Sequence, residues 1–329
     1  MDEEPPPSDP ITELITTYNE LNSSVISEIT GNISPLEFMR YVARNRPFVF
    51  RGGASEWEAT QTWNVPELKA LLKGQSVNVA VTPKGNADSP TRDGDGELLF
   101  VKPCEEHQTF EEFIDFVSQQ GVRVATSATS SEKEIRYAQT QNDNLRNEYA
   151  TLFSHVERDI PWARIALQQV PEAINLWIGN SLSTTALHKD NYENIYVQII
   201  GQKHFALLPP LDYACVNEQE LPPASYMRDE DGILKIVKEG GEKVPFATWD
   251  PDREGNETVY SKLATPMRVT LMPGDMLYLP ALWYHKVSQS CSEEGICCAV
   301  NYWFDMEFGG SLYPLCNFAR SSGLAVLKT

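Results

Sequence analysis

The chain has 329 residues and a mass of 37.0 kDa, with 41% hydrophobic and 10% aromatic residues, so a sizeable core is expected and a disordered or low-complexity protein is not. Its 27 basic against 46 acidic residues give a formal charge of −19, which repels nucleic-acid phosphates and anionic lipid heads and favours a basic protein partner over direct nucleic-acid binding. No apolar run approaches the roughly 18 residues of a bilayer span, and the acidic, proline-rich start Met1-Asp2-Glu3-Glu4-Pro5 is unlike a secretory signal, so a cytoplasmic or nuclear protein is expected.

Residues 1–10 read as a disordered tail. Residues 11–45 read as helical, with Ser34 as an N-cap and Pro35 at the first helical position of a second stretch. Arg46 to Arg51 reads as a strand entering a turn at Gly52-Gly53, a short helix lies between Trp57 and Trp63, and Val77 to Val81 alternates as a strand. Residues 83–97 read as a Gly/Asp/Pro-rich loop, Phe110 to Val117 as helix, 124–134 as polar loop, Arg136 to Gln139 as a strand edge, and 143–174 as helical segments broken at Pro161 and Pro171.

From Ile174 the β signal dominates. Strands are expected at Asn175 to Gly179, Thr184 to Asp190, Ile195 to Ile200 and Lys203 to Leu208, the last two joined as a hairpin through Gly201-Gln202. Residues 209–264 read as an acidic, Pro/Gly-interrupted insertion. Strands resume at Arg268 to Leu271, Met276 to Pro280, His285 to Ser288 and Ile296 to Phe304, before a helix in the last ~20 residues. Many short strands with turn signals imply a mostly β sandwich or barrel with flanking helices in the N-terminal half. The six cysteines form no C-x-x-C pair and read as free thiols.

Five histidines occur, and two lie in telling places. Leu187-His188-Lys189-Asp190 puts His188 and Asp190 at i and i+2, on one face of a strand. His285 lies on a separate strand segment. Two imidazoles and one carboxylate on one side of a metal form the facial triad of non-haem Fe(II) oxygenases. An H-x-D tripeptide alone is weak evidence, and a lone His285 reads equally as a hydrogen-bonded core histidine.

Read together, the neighbourhood resembles the jumonji-C family of Fe(II)- and 2-oxoglutarate-dependent oxygenases. The resemblance covers most of residues 35–305. It rests on Arg46 to Gly52 with Trp57, Asn175 to Gly179, Thr184 to Asn194, Gly201 to Phe205, Pro273 to Pro280, Trp283 to His285 and Asn301 to Phe304, in order and spacing. It implies a double-stranded β-helix of the jelly-roll or cupin kind over 131–305, carrying the insertion 209–264, with an N-terminal flank at 11–130 and a C-terminal segment at 306–329. It implies that His188, Asp190 and His285 bind Fe(II) and that O2 is consumed. Lys203 would pair with the distal carboxylate of 2-oxoglutarate, with hydroxyls from Thr185 and Tyr137, and Asn194 and Asn301 would lie near the chelating end. The alternatives for these residues are an exposed hairpin lysine at Lys203, a packed strand tyrosine at Tyr137, and turn or core polar satisfaction at Asn194 and Asn301. Trp303 is expected beneath the site, Trp177 in the core, and His204 facing outward.

Within the family the chain is most similar to its protein lysyl hydroxylases, which implies a lysine of a GTP-binding protein as substrate; a homodimer is compatible with the sequence. The carboxylates at Asp229-Glu230-Asp231 and Glu239 to Glu242 read as solvated faces or as aids to holding that lysine. The rivals are a histone lysine demethylase of the same family, a metal-dependent peptidase and a non-catalytic β-barrel binding module. Tyr192 and Trp283-Tyr284, near the motif, leave a methylammonium cage open.

Overall fold

The computed structural model describes residues 9–126 and 134–327. In chain order the strands are β1 (Ser27–Ile29), β2 (Phe48–Phe50), β3 (Ser76–Thr82), β4 (Ser89–Arg92), β5 (Leu98–Lys102), β6 (Cys104–Thr109), β7 (Ile135–Tyr137), β8 (Ala173–Gly179), β9 (Thr185–His188), β10 (Tyr192–Ile200), β11 (Gln202–Leu208), β12 (Glu218–Leu221), β13 (Pro223–Arg228), β14 (Leu234–Lys238), β15 (Val244–Ala247), β16 (Met267–Leu271), β17 (Met276–Leu279), β18 (Tyr284–Ser290) and β19 (Cys297–Asp305). Two facing sheets form the core, one in the order β1-β2-β17-β10-β19-β8 and one in the order β16-β11-β18-β9. This is the expected double-stranded β-helix.

The larger sheet is buried on both faces. Ile195, Val197, Val300, Tyr302 and Tyr278 face outward and pack under Phe38, Trp57, Leu68, Phe113 and Ile114 from the N-terminal helices. Tyr196, Trp177, Leu277 and Ala299 alternate inward and meet Phe205, Leu207, Val269 and Val287 of the smaller sheet. Burial on both sides explains why β10 and β19 read as near-continuous apolar runs. Polar residues interrupt them on the inward face at Asn194 and Asn301, and on the outward face at Glu193, whose carboxylate accepts from the Tyr278 hydroxyl at 2.6 Å.

The expected hairpin between β10 and β11 does not form. Both edges of β10 are taken, by β17 and β19, so β11 has no edge to join and enters the opposite sheet between β16 and β18. Gly201 is the corner, at φ 70°, where a β-carbon would fall 2.6 Å from the Ser290 carbonyl oxygen.

Other elements also depart from the local reading. A strand, β1, interrupts the helical region 11–45. β4 lies inside the expected 83–97 loop, and Pro161 starts a helix, Pro161–Leu167, where a break was expected. The helix Phe110–Thr126 runs past its expected end, while the loop expected at 124–134 falls largely outside the described residues. Of the expected tail, residues 1–8 lie outside the described residues, and Asp9 and Pro10 cap and begin the first helix. The insertion carries β12 to β15, and β13 adds in parallel to β5. Ser34 caps the helix Pro35–Arg44 as expected, its hydroxyl accepting from the Glu37 amide. A closing helix spans Leu312–Leu327. All six cysteines are free. No helix among the described residues is long and apolar enough to cross a membrane.

Two of the sequence motifs are joined by an ion pair. Arg51 Nη1 lies 2.6 Å from Asp275 Oδ2, and the other oxygen accepts from the Gly52 amide at 3.0 Å. That clamp ties the β16–β17 turn to β2 and fixes one end of the barrel.

Candidate metal centre

β9 and β18 are antiparallel neighbours, and His188 and His285 are register partners across them. Their ring centroids are 4.1 Å apart. Asp190 lies just past the end of β9, not on the strand, and its Oδ2 is 3.7 Å from His188 Nε2 and 3.6 Å from His285 Nε2. One donor atom from each of the three lies within 4.8 Å of the others, a set that could hold one metal ion.

The imidazoles are anchored in the same way. His188 Nδ1 is 2.9 Å from the Ala186 carbonyl and His285 Nδ1 is 3.0 Å from the Trp283 carbonyl. Each Nδ1–H donates to a carbonyl two residues back, which fixes the tautomer that leaves Nε2 free for a metal. Burial, then the neighbouring His188, pushes the His285 imidazole down to about 4, so it is a neutral donor at physiological pH. Trp283 is itself pinned, its indole N–H donating to Asn45 Oδ1 at 2.8 Å, and the Leu282 amide donates to the Asp190 carbonyl at 2.8 Å. Leu282 holds φ 71°, a costly conformation for a branched residue, at the corner that delivers His285.

The triad opens into a narrow cavity between the two sheets, lined also by Tyr137, Thr185, Tyr196, Asn194, Asn301 and Trp303. Lys203 is 2% exposed and does not itself line the cavity. Its ammonium stands one layer behind, donating to the Tyr137 hydroxyl at 2.7 Å and lying 5.9 Å from the Tyr196 ring centroid. Among the described residues it has no carboxylate partner. Burial raises the Tyr137 phenol above its ordinary value, against the pull of Lys203, so it stays a neutral hydroxyl.

On the opposite wall, the Trp177 indole N–H donates to Asn301 Oδ1 at 2.8 Å, and Asn301 Nδ2 donates to Asn194 Oδ1 at 3.2 Å. Trp177 is in the core between the sheets, as expected, and its indole also lines the cavity wall. Trp303 also lines the cavity and stacks on Tyr192 at 4.8 Å and 5°, while its buried indole N–H has no partner among the described residues. His204 faces outward, between Thr270 Oγ1 and Ser290 Oγ. Asp229 is paired with Lys235 at 2.6 Å and Glu239 with Lys102 at 2.7 Å.

Three further residues were not singled out in the sequence. Asp88 and Glu105 line a trench that shares Thr185 and His188 with the triad cavity, and the rings of Phe246 and Phe100 meet there at 5.1 Å, tilted by 38°. Among the described residues neither carboxylate has a cationic partner. They come from loop and edge positions, which carry no spacing signal.

A two-sheet β-helix with a His–Asp–His cluster at its mouth is the architecture of the cupin class. Residues 34–310 match the family described as a cupin-like domain, and the chain belongs to its JmjC members. It is 37% identical over 310 residues to "Lysine-specific demethylase JMJ32" of Arabidopsis thaliana, covering 90% of this chain and 86% of the relative. It is 37% identical over 279 residues to "Bifunctional peptidase and (3S)-lysyl hydroxylase JMJD7" of Homo sapiens, covering 84% and 82%. It is 33% identical over 330 residues to "JmjC domain-containing protein E" of Dictyostelium discoideum, covering 90% and 92%.

Proposed function

We propose that this chain is an Fe(II)- and 2-oxoglutarate-dependent oxygenase that hydroxylates a lysine side chain of a protein, with a GTP-binding protein as the substrate. The observation that carries the reading is Lys203. A buried ammonium without a carboxylate is costly, and here it stands beside a small cavity that ends in a facial triad. A compact dicarboxylate reaching from the metal toward Tyr137 and Lys203 removes that cost.

The donor set fits the metal. Two neutral imidazoles and one carboxylate on one face suit Fe(II) and leave positions open. When bound, iron and 2-oxoglutarate supply the activation of O2, with 2-oxoglutarate giving succinate and CO2 as one oxygen atom enters the substrate C–H bond. The chain's own residues orient the reactants. His188, Asp190 and His285 hold the metal, and the carbonyls of Ala186 and Trp283 hold the imidazoles. Tyr137 and Thr185 offer hydroxyls to the distal carboxylate, with the Lys203 charge behind them. Asn301 and Asn194, kept in register by Trp177, offer amides near the metal. The inward faces of Phe205, Leu279 and Val287 exclude water.

Lysine as the target is supported by Asp88 and Glu105, two carboxylates without cationic partners in the trench beside His188. Asp229 and Glu239 do not support it, because their charges are already met by Lys235 and Lys102. The second reading is demethylation of a methylated lysine, favoured by the Phe100–Phe246 pair in the same trench and in keeping with the name of the plant relative. A peptidase would need a water-activating base, and among the described residues lining the triad cavity none is a glutamate.

The experiment is a reaction with Fe(II), 2-oxoglutarate, O2 and matched lysine and methyl-lysine peptides of a GTP-binding protein, read by mass spectrometry. One oxygen gained on unmethylated lysine, with matching succinate, is the expected result. Formaldehyde from the methylated peptide alone supports the demethylase, a shortened peptide the peptidase, and no succinate at all a binding module.

A further inference from the structure

Lys189 lies between two triad residues, yet its side chain leaves them. Its ammonium stands 5.3 Å from the Tyr213 ring centroid and 5.6 Å from that of Tyr284. Among the described residues it has neither a carboxylate nor a hydrogen-bond partner. The hydroxyl of Tyr284 is buried and, among the described residues, also has no partner, in a residue only 2% exposed. Both side chains line an open cavity that reaches His188 and is also lined by Glu218, Phe246 and Arg320. Arg320 is in the same wall, but it is spent on Glu218 and on the Tyr213 hydroxyl, to which its Nε donates at 2.7 Å. With Arg320 and Glu218 cancelling, the charge of Lys189 is left over, a positive pocket in a chain of net charge −19.

We propose that this cavity is a carboxylate-binding subsite that holds an acidic side chain of the protein substrate, next to the residue that is modified. The proposal rests on the protein-hydroxylase reading above. Two donors with no acceptor complement a carboxylate, and an unpaired, partly dehydrated ammonium is stabilised when an anion arrives. A side chain of a bound polypeptide fits the layout better than a free small acid. This cavity and the trench holding Asp88 and Glu105 share His188 and Phe246, so one extended segment can reach both. The two ends carry opposite charge. A substrate with a lysine at the iron and an Asp or Glu a few residues away meets both, whereas a uniformly basic segment meets only one.

The test is fluorescence anisotropy of the Mn(II)-loaded full chain with labelled lysine-centred peptides, in which Glu or Gln is placed in turn at each flanking position. At one position Glu is expected to bind about tenfold tighter than Gln, which corresponds to about 1.4 kcal/mol. Lys189→Gln is expected to abolish that preference, Tyr284→Phe to weaken it, and Lys189→Arg to keep it. Mn(II) affinity, measured in parallel, reports whether a variant retains the triad; if Lys189→Gln does not, Tyr284→Phe decides. Equal binding of Glu and Gln peptides at every position overturns the proposal. So does Lys189-dependent binding of free glutarate without any peptide discrimination, which marks a small-molecule site. If the hydroxylase reading fails instead, no peptide gains oxygen while the Glu preference in binding persists.

Discussion

The space that the missing β-carbon of Gly179 leaves is filled by the Tyr137 ring: a methyl built on Gly179 would fall 2.5 Å from Tyr137 Cδ2 and 2.8 Å from Gln289 Nε2. Gly179 ends β8, and Tyr137 carries the hydroxyl that Lys203 holds. Gly179→Ala is therefore expected to push Tyr137 away from Lys203 and raise the 2-oxoglutarate requirement, while Mn(II) affinity is unchanged. Overpacking of this kind costs about 1–3 kcal/mol of stability. Titration of turnover against 2-oxoglutarate, with thermal melts, checks both; a variant with native co-substrate dependence contradicts the placement of Tyr137.

The triad sits at a cavity mouth, where side-chain loss does not open the packed core. His188→Ala or Asp190→Ala should remove metal binding and turnover and leave the circular dichroism spectrum intact. The metal stabilises the native state by mass action, on the order of 3 kcal/mol at a hundredfold excess over its dissociation constant. That gain in melting temperature should be present in the native chain and absent in both variants. A variant that keeps the gain places the metal elsewhere.

Removing Lys203 leaves the Tyr137 hydroxyl and any co-substrate carboxylate without a cation. Loss of a charged partner in a largely dry site costs about 2–5 kcal/mol, so Lys203→Ala should raise the 2-oxoglutarate requirement far more than that for protein substrate. Binding of 2-oxoglutarate by isothermal titration is the direct measurement. Unchanged affinity removes Lys203 from the site.

Asp212 is fully buried in the turn Pro210–Cys215, and among the described residues neither of its carboxylate oxygens has a partner. Burial pushes its carboxyl from 3.8 up to about 7. The folded chain then holds the proton more tightly than the unfolded one, so this group's stabilising contribution is full below pH 4 and is lost as pH rises to 7. Asp212→Asn should gain stability over the native chain across that window, on the order of 4 kcal/mol above pH 7, since one pKa unit is about 1.4 kcal/mol. Denaturant melts at pH 5 and pH 8 check the sign. A gap that does not widen with pH shows that Asp212 has a partner.

How far the sequence could be read depended on whether the signal was local. The Ser34 cap, β3, β16 to β19 and the clustering of His188, Asp190 and His285 follow from short-range pattern or from motif order. The β10–β11 hairpin failed because a Gly-containing turn looks the same whether its strands pair or part. What decides is that β10 has no free edge, which only the whole sheet knows. Trp177 is core, as an indole in a buried strand implies, but its place in the site wall was not legible, because its hydrogen bond to Asn301 spans 124 positions. Lys189 could have been seen: strand alternation turns the residue between His188 and Asp190 to the opposite side. Asp88 and Glu105 could not, because nothing nearby in the chain marks them.

The order of the larger sheet sets how the chain can be made. Of its five pairings, only β1 with β2 joins strands that precede residue 276. β8 and β10, both buried runs, leave the ribosome without their neighbours in this sheet and wait for β17 and β19, roughly a hundred residues later. For that interval the nascent chain exposes apolar strands with open edges, the form most prone to intermolecular pairing. The larger sheet can therefore close only after β17 and β19 have been made. A chain stopped within Cys297–Asp305 should emerge as an insoluble product, because both β8 and β10 lose their shared neighbour at once.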